Sequence, residues 1–300
     1  MNNKSLNDII KNKINIESKE YTVILGGAPS KGARSPILWN AVYESMGMDI
    51  RMYPFDVELE LLDNLLSFLI EDKFFLGGSI TIPYKEVILK KKKFVNIDER
   101  LANIGSVNCF YKLKNNHQFI VENSDSIAAL ECFKKTYGDI KNKNILMLGY
   151  GGVGKSIAKI FSDEGAKIMV SCRKFQQYIG KKKNINFFDW NNKSELINQA
   201  DIIINATDIG FDGTGKGDLT PLGHEDLKKV KKTTIIFDVI YKSNQTNFIK
   251  LAKNIDLKVI DGACMNLHQA IIGFCKCHNC FTIFDKVKEI MLNKKNEMGW

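Results

Sequence analysis

The sequence predicts an α/β protein of two domains, and three observations lead to that prediction. The chain has 300 residues, at the upper end of the roughly 250 to 300 at which a single hydrophobic core stops growing. Strand and helix patterns alternate over the first 120 positions, which is typical of α/β units. A second alternating series begins near Asn144 with a glycine-rich turn. We place the domains at 1–123, with 263–300 returning to it, and at 124–262.

The first domain shows strand patterns at 21–25, 48–55 and 75–82. Gly26, Gly27 and Pro29 end the first of these abruptly, as turn residues do. Ser35 and Pro36 suit the cap and the first position of a helix. Leucines recur on one stripe over 58–70, which predicts an amphipathic helix. This alternation favours a largely parallel sheet.

The second domain opens with an apolar strand at 145–148 that runs into a glycine turn and then into a helix. Later strands are predicted at 167–172, 201–205, 234–239 and 257–260. The segment 124–136 predicts a connecting helix with Asp125 at the domain junction. The stretch after Gly262 is helical again and is expected to pack on the first domain.

The glycine turn predicts a Rossmann-type dinucleotide site, because strand, turn and helix occur in the order that this fold requires. Gly149 permits the tight turn, Gly151 lets the backbone approach a pyrophosphate, and Gly154 lets the helix pack closely on the sheet. Gly152 and Val153 complete the turn, whose helix N-terminus offers free N–H groups to phosphates. The alternative is a glycine turn that only packs a helix on a strand.

The end of the next strand indicates which dinucleotide binds. An acid at this position holds the ribose 2′-hydroxyl of NAD, whereas a cation accommodates the 2′-phosphate of NADP. The chain carries Arg173 and Lys174 there and no acid between Val170 and Lys174. NADP is therefore predicted, with an ordinary solvated pair of cations as the alternative.

Composition excludes several other classes of protein. No apolar run approaches the roughly 18 residues that span a bilayer, and residues 1–8 lack the apolar core of a signal peptide. We therefore expect a cytoplasmic protein whose seven cysteines are thiols. The net charge of +9 comes with lysine runs at 90–93, 181–183 and 228–229, which indicates a compositional bias, so neither a nucleic-acid nor a membrane partner is expected.

A cluster of possible metal ligands lies near the C-terminus, at Cys275, Cys277, His278 and Cys280. Thiolates and imidazoles bind zinc. On a helix these side chains do not converge on one tetrahedral ion, and no second cysteine pair has a typical spacing. We predict no metal site.

Six ordered segments resemble the shikimate dehydrogenase family, over nearly the whole chain. The family's Gly-x-Asn-Val-Thr-x-Pro-x-Lys stretch appears here as Gly77-Gly78-Ser79-Ile80-Thr81-Ile82-Pro83-Tyr84-Lys85. The other five segments are Ile104-Gly105-Ser106-Val107-Asn108-Cys109, Asn123-Ser124-Asp125, Ile204-Asn205-Ala206-Thr207, Asp238-Val239-Ile240-Tyr241 and Gly262 to Gln269.

The resemblance implies an NADP-dependent oxidoreductase of aromatic amino acid biosynthesis that interconverts 3-dehydroshikimate and shikimate. It assigns catalysis to Lys85 and Asp125, and a lysine ammonium suits the reaction because it protonates the alkoxide that hydride transfer creates. It further implies two sets of binding residues. The substrate set is Ser35, Thr81, Asn108, Tyr241 and Gln269, and Asn205, Thr207 and Gly262 join the glycine turn around the cofactor.

Departures from the family pattern leave the substrate open. The family binds the substrate carboxylate with Ser-x-Ser-Pro, but here Ala33 replaces the first serine and Arg34 precedes Ser35. Ser79 and Asp208 replace the usual Asn and Pro. Quinate, an aminated shikimate or another cyclic hydroxy acid remain alternatives as the small-molecule partner. A non-catalytic metabolite-binding regulator and a two-domain dehydrogenase acting on a folate are further alternatives, and the chain is expected to be a monomer or a homodimer.

Overall fold

The structure is a computed structural model that describes residues 5–113, 117–180, 182, 184–242 and 244–300. The chain divides into two compact units, Met1–Ser124 with Leu267–Gly299, and Asp125–Asn266 with Trp300. The predictions that concern residues 1–4 and the lysines at 181 and 183 lie outside the described residues.

Among its described residues, the first unit contains a six-stranded sheet and, before the chain leaves it, four α-helices. The strands are β1 (Glu20–Gly26), β2 (Ile50–Asp56), β3 (Phe75–Ile80), β4 (Val95–Asn96), β5 (Cys109–Tyr111) and β6 (Phe119–Glu122). The helices are α1 (Ser35–Ser45), α2 (Leu62–Glu71), α3 (Tyr84–Val87) and α4 (Glu99–Ile104).

The second unit contains a second six-stranded sheet. Its strands are β7 (Asn144–Leu148), β8 (Lys167–Cys172), β9 (Ile185–Asp189), β10 (Ile202–Asn205), β11 (Ile235–Asp238) and β12 (Lys258–Ile260). Its helices are α5 (Asp125–Tyr137), α6 (Gly152–Asp163), α7 (Lys193–Leu196), α8 (His224–Leu227) and α9 (Asn247–Lys253). Helix α10 (Gly262–His278) begins in this unit and ends in the first, which α11 (Phe284–Glu297) completes.

The sheet of the first unit is mixed, with the strand order β2-β1-β3-β5-β6-β4. Strands β1, β2 and β3 are parallel, whereas β5 runs antiparallel to both β3 and β6. Strand β4 pairs in parallel with β6, so of the six strands described in this sheet only β5 runs in the opposite direction. The expectation of a largely parallel sheet therefore holds, with β5 as the exception. The antiparallel pair was not visible in the sequence, because β5 and β6 have three and four residues and carry no extended period-two pattern.

The core of the first unit lies under these three parallel strands. Strand β1 is buried at every position after Glu20, and Leu62, Leu65, Leu66 and Leu69 of α2 form a buried stripe in the same hydrophobic cluster. The predicted helix at 58–70 begins as a 3₁₀ turn at Leu59–Leu61, so the α-helix starts later. A Cβ on Gly78 would overlap the Val23 carbonyl, so β1 and β3 pair at a separation that only glycine permits.

The sheet of the second unit is entirely parallel, in the order β12-β11-β10-β7-β8-β9. With β7 counted as the first strand, the order is 3-2-1-4-5-6 read from the β9 edge, which is the strand order of the doubly wound dinucleotide-binding fold. Its switch point falls between β7 and β10, where ligands bind in folds of this type.

A disulfide joins Cys132 on α5 to Cys264 on α10, with the two Cα atoms 6.2 Å apart. The expectation that all seven cysteines are thiols is therefore wrong for this pair. The two residues are 132 positions apart in the sequence, so their proximity depends on how α5 and the start of α10 pack. Composition and compartment carry no information on that packing.

Within the described ranges, no helix is both long and apolar enough to cross a membrane.

Candidate active site

The glycine turn after β7 lies at the switch point of the second sheet. Gly149 has a φ of +92°, and a Cβ there would come within 2.8 Å of Thr207 Cγ2. A Cβ on Gly154 would lie 2.8 Å from the Gly149 carbonyl oxygen. Both glycines are therefore required by contacts within the protein. Because these contacts bring α6 against the turn, they fix where the N-terminus of this helix points.

Gly151 is different, because a Cβ at this position would meet no atom within 4 Å. The residue is exposed and precedes α6, which starts at Gly152 and continues through Val153. Open space in front of a helix N-terminus suits an anionic ligand that approaches the backbone closely. The geometry of this turn therefore fits a pyrophosphate group.

A buried polar network lies at the ends of β10 and β11, next to this turn. Asn205 Nδ2 donates to Asp238 Oδ1 at 3.0 Å, and Thr207 Oγ1 donates to Asn205 Oδ1 at 2.7 Å. Asp238 also accepts hydrogen bonds from Thr246 Oγ1 at 2.6 Å and from the Ile240 N–H at 3.1 Å. Burial nevertheless dominates and raises the pKa of Asp238 to about 6. The network holds Asn205 and Thr207 at the carboxyl edge of the sheet.

Gly262 begins α10 against the loop that follows β11. A Cβ on Gly262 would lie 2.5 Å from the Val239 carbonyl oxygen and 2.6 Å from the Ile240 carbonyl carbon. Only glycine permits this approach. Half-buried Tyr241 comes directly after the loop residues that Gly262 contacts, so the two predicted residues belong to one local assembly.

Arg173 and Lys174 follow directly after β8, and both are exposed. Strands β7 and β8 are adjacent and parallel, so these cations leave the sheet at the same edge as the glycine turn. On the other side of β8, the neighbouring strand is β9, and Cys172 of β8 is in register with Asp189 of β9. Asp189 Oδ1 accepts the Asn191 N–H at 2.8 Å, so this carboxylate caps the following 3₁₀ turn.

In the first unit, backbone hydrogen bonds bring together the segments that carry Thr81, Lys85 and Asn108. The Ile80 N–H donates to the Asn108 carbonyl, and the Val107 N–H donates to the Lys85 carbonyl, both at 2.8 Å. Lys85 is half-buried on α3, and Thr81 is half-buried at the end of β3. Three of the predicted site residues are therefore neighbours along two hydrogen-bonded segments.

Asn108 and Gln269 are joined through Ser124, which the sequence interpretation did not single out. Asn108 Nδ2 donates to Ser124 Oγ at 2.9 Å and to Gln269 Oε1 at 3.2 Å. The Ser124 N–H donates back to Asn108 Oδ1 at 2.7 Å, and Ser124 Oγ donates to the Gln269 carbonyl at 3.1 Å. Asn108 and Ser124 are buried. The two amides are thus held in one fixed relative orientation.

A second pair that the sequence interpretation missed supports the same segments. Asn123 Nδ2 donates to the Ser106 carbonyl at 2.9 Å and to Ser106 Oγ at 3.1 Å, and both residues are fully buried. Both positions lie inside segments that carry the family resemblance, but their role as a brace between β6 and the approach to β5 depends on strand pairing.

Ser35 is the first residue of α1 and is buried. Arg34 before it is also buried, at 7% exposure, so its side chain does not extend into solvent. The loop that leads to them is fastened to β2, because Ser30 donates its N–H at 2.9 Å and its hydroxyl at 2.5 Å to the Asp56 carboxylate. The start of α1 is therefore a fixed element of the unit.

Asp125 is the first residue of α5 in the second unit and is buried. A carboxylate at a helix N-terminus interacts favourably with the helix dipole. The position thus stabilises a charged side chain at this end of α5.

A parallel sheet in this strand order, with a glycine turn at its switch point, defines the second unit as a Rossmann-type dinucleotide-binding domain. Residues 25–110 match the family model described as shikimate dehydrogenase substrate binding domain. Residues 131–258 match the model described as shikimate / quinate 5-dehydrogenase. The two matches together cover more than half of the chain, and the chain therefore belongs to the shikimate dehydrogenase family.

Individual relatives agree with this assignment over most of their length. The chain is 31% identical over 264 residues to a shikimate dehydrogenase (NADP(+)) of Methanococcoides burtonii, which covers 85% of this chain and 91% of the relative. It is 30% identical over 272 residues to the enzyme of the same name from Methanococcus vannielii, covering 86% and 92%. A solved shikimate dehydrogenase in complex with NADP⁺ is 25% identical, with a TM-score of 0.78 and coverage of 94% and 97%.

Proposed function

We propose that this protein is an NADP-dependent enzyme that reversibly reduces the ring ketone of 3-dehydroshikimate to shikimate. The observation that carries the proposal is the arrangement in the first unit, where hydrogen bonds hold Lys85 next to the segment of Asn108, and Asn108 to Gln269. A proton donor and two amides on one rigid frame are the groups that a polyhydroxylated ring ketone requires. Relatives named shikimate dehydrogenase (NADP(+)) support the same substrate over quinate.

Lys85 is proposed as the proton donor. NADPH supplies the hydride when it is bound, and the carbonyl oxygen then carries a developing negative charge. The Lys85 ammonium stabilises this oxygen through a hydrogen bond and transfers a proton to it. Asp125 is proposed as the second catalytic residue, a carboxylate that complements the charge of the ammonium.

The substrate hydroxyls are proposed to bind the amides of Asn108 and Gln269, since an amide both donates and accepts. Ser35 and Thr81 add hydroxyl groups, and Tyr241 is proposed as a further substrate-binding residue. Ala33 offers no side-chain hydrogen bond, so Ser35 is proposed to bind the carboxylate without a second serine. We propose that the first unit, including the part of α10 after Asn266, binds the substrate.

The cofactor is proposed to lie along the carboxyl edge of the second sheet, with its pyrophosphate at the glycine turn formed by residues 149–154. Arg173 and Lys174 are proposed to contact the 2′-phosphate, because both are exposed cations at the end of β8. Asn205 and Thr207 form the floor beside the turn, and Gly262 permits the close approach of α10. A cytoplasmic location and a monomeric or homodimeric state stay predictions.

The test is a substrate panel with the purified chain. Wild-type protein is expected to reduce NADP⁺ in the presence of shikimate, with lower kcat/KM for quinate and for aminated shikimate, and lower kcat/KM with NAD⁺ than with NADP⁺. Appearance of the reduced cofactor is followed by its absorbance. A folded protein that turns over none of these substrates would show that the proposed activity is wrong.

Lys85→Met tests the proton donor. The variant is expected to lose about 10²- to 10⁴-fold in kcat, the usual contribution of a positioned acid–base group. Lys90→Met is the matched control, because Lys90 is an exposed lysine on the next turn of the same segment. If Lys85→Met retains the kcat of the control while the wild type is active, the activity proposal stands and the role of Lys85 does not.

A further inference from the structure

Helix α10 ends in a Schellman motif whose two contacting positions are both cysteines. The Cys280 N–H donates to the Cys275 carbonyl at 3.0 Å, and the Asn279 N–H donates to the Lys276 carbonyl at 3.4 Å. Asn279 has a φ of +49°. This pattern of two bonds across a left-handed residue defines the motif, and it places the residues at the two ends of the longer bond in side-chain contact. That contact is usually hydrophobic, but here it joins two thiols.

The two thiols have different environments. The side chains of Cys275 and Cys280 share a hydrogen bond. This bond lowers the pKa of Cys280, and together with burial it raises the pKa of Cys275. Cys275 is fully buried, whereas Cys280 is partly exposed beyond the end of the helix. One thiol is therefore accessible and more acidic, and the other is protected behind it.

We propose that Cys275 and Cys280 form an oxidation site, a dithiol that a peroxide closes to a disulfide. Reactive cysteines of redox sites are accessible, have a lowered pKa and stand next to a second cysteine that resolves the first product. The pair meets all three conditions through the geometry of one helix end. Neither cysteine belongs to the residues proposed to bind the substrate or the cofactor.

The reaction balances with hydrogen peroxide as the oxidant. The Cys280 thiolate attacks one peroxide oxygen, the O–O bond breaks, and Cys280 becomes a sulfenic acid while the other oxygen leaves as water after protonation. The Cys275 sulfur then attacks the Cys280 sulfur, the S–O bond breaks, and the thiol proton leaves with the hydroxide as a second water. Two thiols lose two electrons in total, and the peroxide gains them.

The neighbouring thiols differ in ways that make them controls. Cys277 is two positions after Cys275, so it points about 200° away around the helix, and burial raises the pKa of its thiol well above the ordinary value. Cys109 is fully buried, and burial raises its pKa to about 12. Neither residue occupies a contacting position of the motif.

The experiment treats the folded full-length chain with hydrogen peroxide, alkylates the remaining thiols and maps disulfides by mass spectrometry of peptides. The expected result is a new Cys275–Cys280 linkage, with two fewer free thiols per chain and no higher-mass species on a non-reducing gel. Cys277→Ser is expected to form the linkage at the wild-type rate. Cys280→Ser is expected to form no linkage and to leave Cys275 open to alkylation once the chain is unfolded.

Circular dichroism of each variant before treatment establishes that it is folded. Accumulation of Cys280 as a sulfinic acid in wild-type protein, with Cys275 still alkylated, would overturn the proposal. A linkage of Cys280 to Cys277 or to a second chain would overturn it as well, because the motif would then not determine the partner.

Discussion

Ser124 is the residue through which the proposed substrate amides are oriented. It contributes one donor and one acceptor to Asn108, and its hydroxyl donates to the backbone of Gln269. The hydroxyl lies in a buried site, where an unmade hydrogen bond costs about 1 to 3 kcal/mol. Ser124 is therefore a positioning residue for the first unit, because it hydrogen-bonds to both polar atoms of the Asn108 amide and to the backbone of Gln269.

Ser124→Ala is expected to raise the KM for shikimate about tenfold. Without the serine hydroxyl the two amides are no longer held in place, and a loss of about 1.4 kcal/mol of binding free energy is a tenfold change in affinity. The KM for NADP is expected to stay at the wild-type value, because the bonds that Ser124 makes lie within the first unit. Steady-state kinetics with each reactant varied in turn measure both constants.

Ser124→Thr is the matched control, since it keeps the hydroxyl and is expected to restore the wild-type KM. In the Ser124→Ala background, Asn108→Ala is expected to add much less than it does alone, because the two residues act through one network. Equal increases in both KM values, or no rescue by threonine, would show that Ser124 acts only on the stability of the fold.

At the scale of elements, the C-terminal end of α2 is closed by a lysine from the neighbouring sheet. Lys112 follows β5, and its Nζ donates to the carbonyls of Ile70 at 2.6 Å and Asp72 at 2.9 Å, with Leu69 at 3.4 Å. The last carbonyls of a helix have no partner within it, and a cation there also interacts favourably with the helix dipole. Burial lowers the pKa of Lys112, but the group gains these three acceptors.

Lys112→Met is expected to lower the free energy of unfolding by about 1 to 3 kcal/mol, because hydrogen bonds from a charged group are lost while the stem of the side chain is kept. Urea unfolding followed by circular dichroism measures the change. Lys13→Met is the control, since Lys13 is exposed in the same unit, and it is expected to stay within about 0.5 kcal/mol of the wild type. Equal midpoints for the two variants would contradict the capping role.

The strands with continuous apolar runs were the elements that the sequence predicted well. Strand β8 was predicted at its observed bounds, and the strands β7, β10, β11 and β12 were found within a residue or two of them. These strands are apolar on both faces because helices cover both sides of a parallel sheet. Strand β9 was not predicted, although it carries Ile185 and Phe187 on one face, because it alternates over only five positions at the edge of the sheet.

In the candidate site, the sequence indicated residue types but not their connections. The glycines at 149 and 154 were predicted from spacing, because steric requirements of the turn act on neighbouring positions. The bond from Asn108 to Gln269 spans 161 positions, so it exists only because α10 returns to the first unit. Patterns of neighbouring residues carry no information on a contact between such distant positions, and Ser124 was therefore not recognised as the residue that bonds to both Asn108 and Gln269.

At the scale of the whole molecule, each unit contains one buried group, His278 or Asp238, whose displaced pKa changes the free energy of unfolding in acid, and the two changes have opposite signs. In the first unit, the His278 ring accepts or donates a hydrogen bond with Tyr43 Oη at 2.8 Å and packs against the rings of Trp39 and Phe274. In the second unit, Asp238 lies in the polar network below the glycine turn.

Burial lowers the pKa of His278 from 6.5 to about 4. Between these values the unfolded chain binds a proton that the folded chain does not, so the free energy of unfolding falls as the pH falls from about 6.5 to about 4. At about 1.4 kcal/mol per pKa unit, the loss amounts to up to about 3 kcal/mol. The contribution is fully present above pH 6.5.

Asp238 has the opposite sign, because burial raises its pKa from 3.8 to about 6. Between these values the folded chain binds the additional proton, so this contribution is fully present below pH 3.8 and is lost as the pH rises to about 6. Its size is also about 3 kcal/mol. In the wild type, the two contributions therefore partly cancel between pH 4 and pH 6.

Replacing one of the two residues should reveal the contribution of the other to the pH dependence of the free energy of unfolding. Asp238→Asn removes a contribution that grows in acid, so the free energy of unfolding of this variant is expected to fall more steeply than that of the wild type from pH 6 to pH 4. His278→Phe keeps an aromatic ring among Trp39, Tyr43 and Phe274, and its free energy of unfolding is expected to fall less steeply over the same range. Urea unfolding at half-unit pH steps measures both slopes. His278 and Asp238 share no hydrogen-bond partner and belong to different units, so the effects of the two substitutions are expected to add. The double variant should therefore return to a slope close to that of the wild type. Parallel pH profiles for all four proteins would show that neither group titrates in this range.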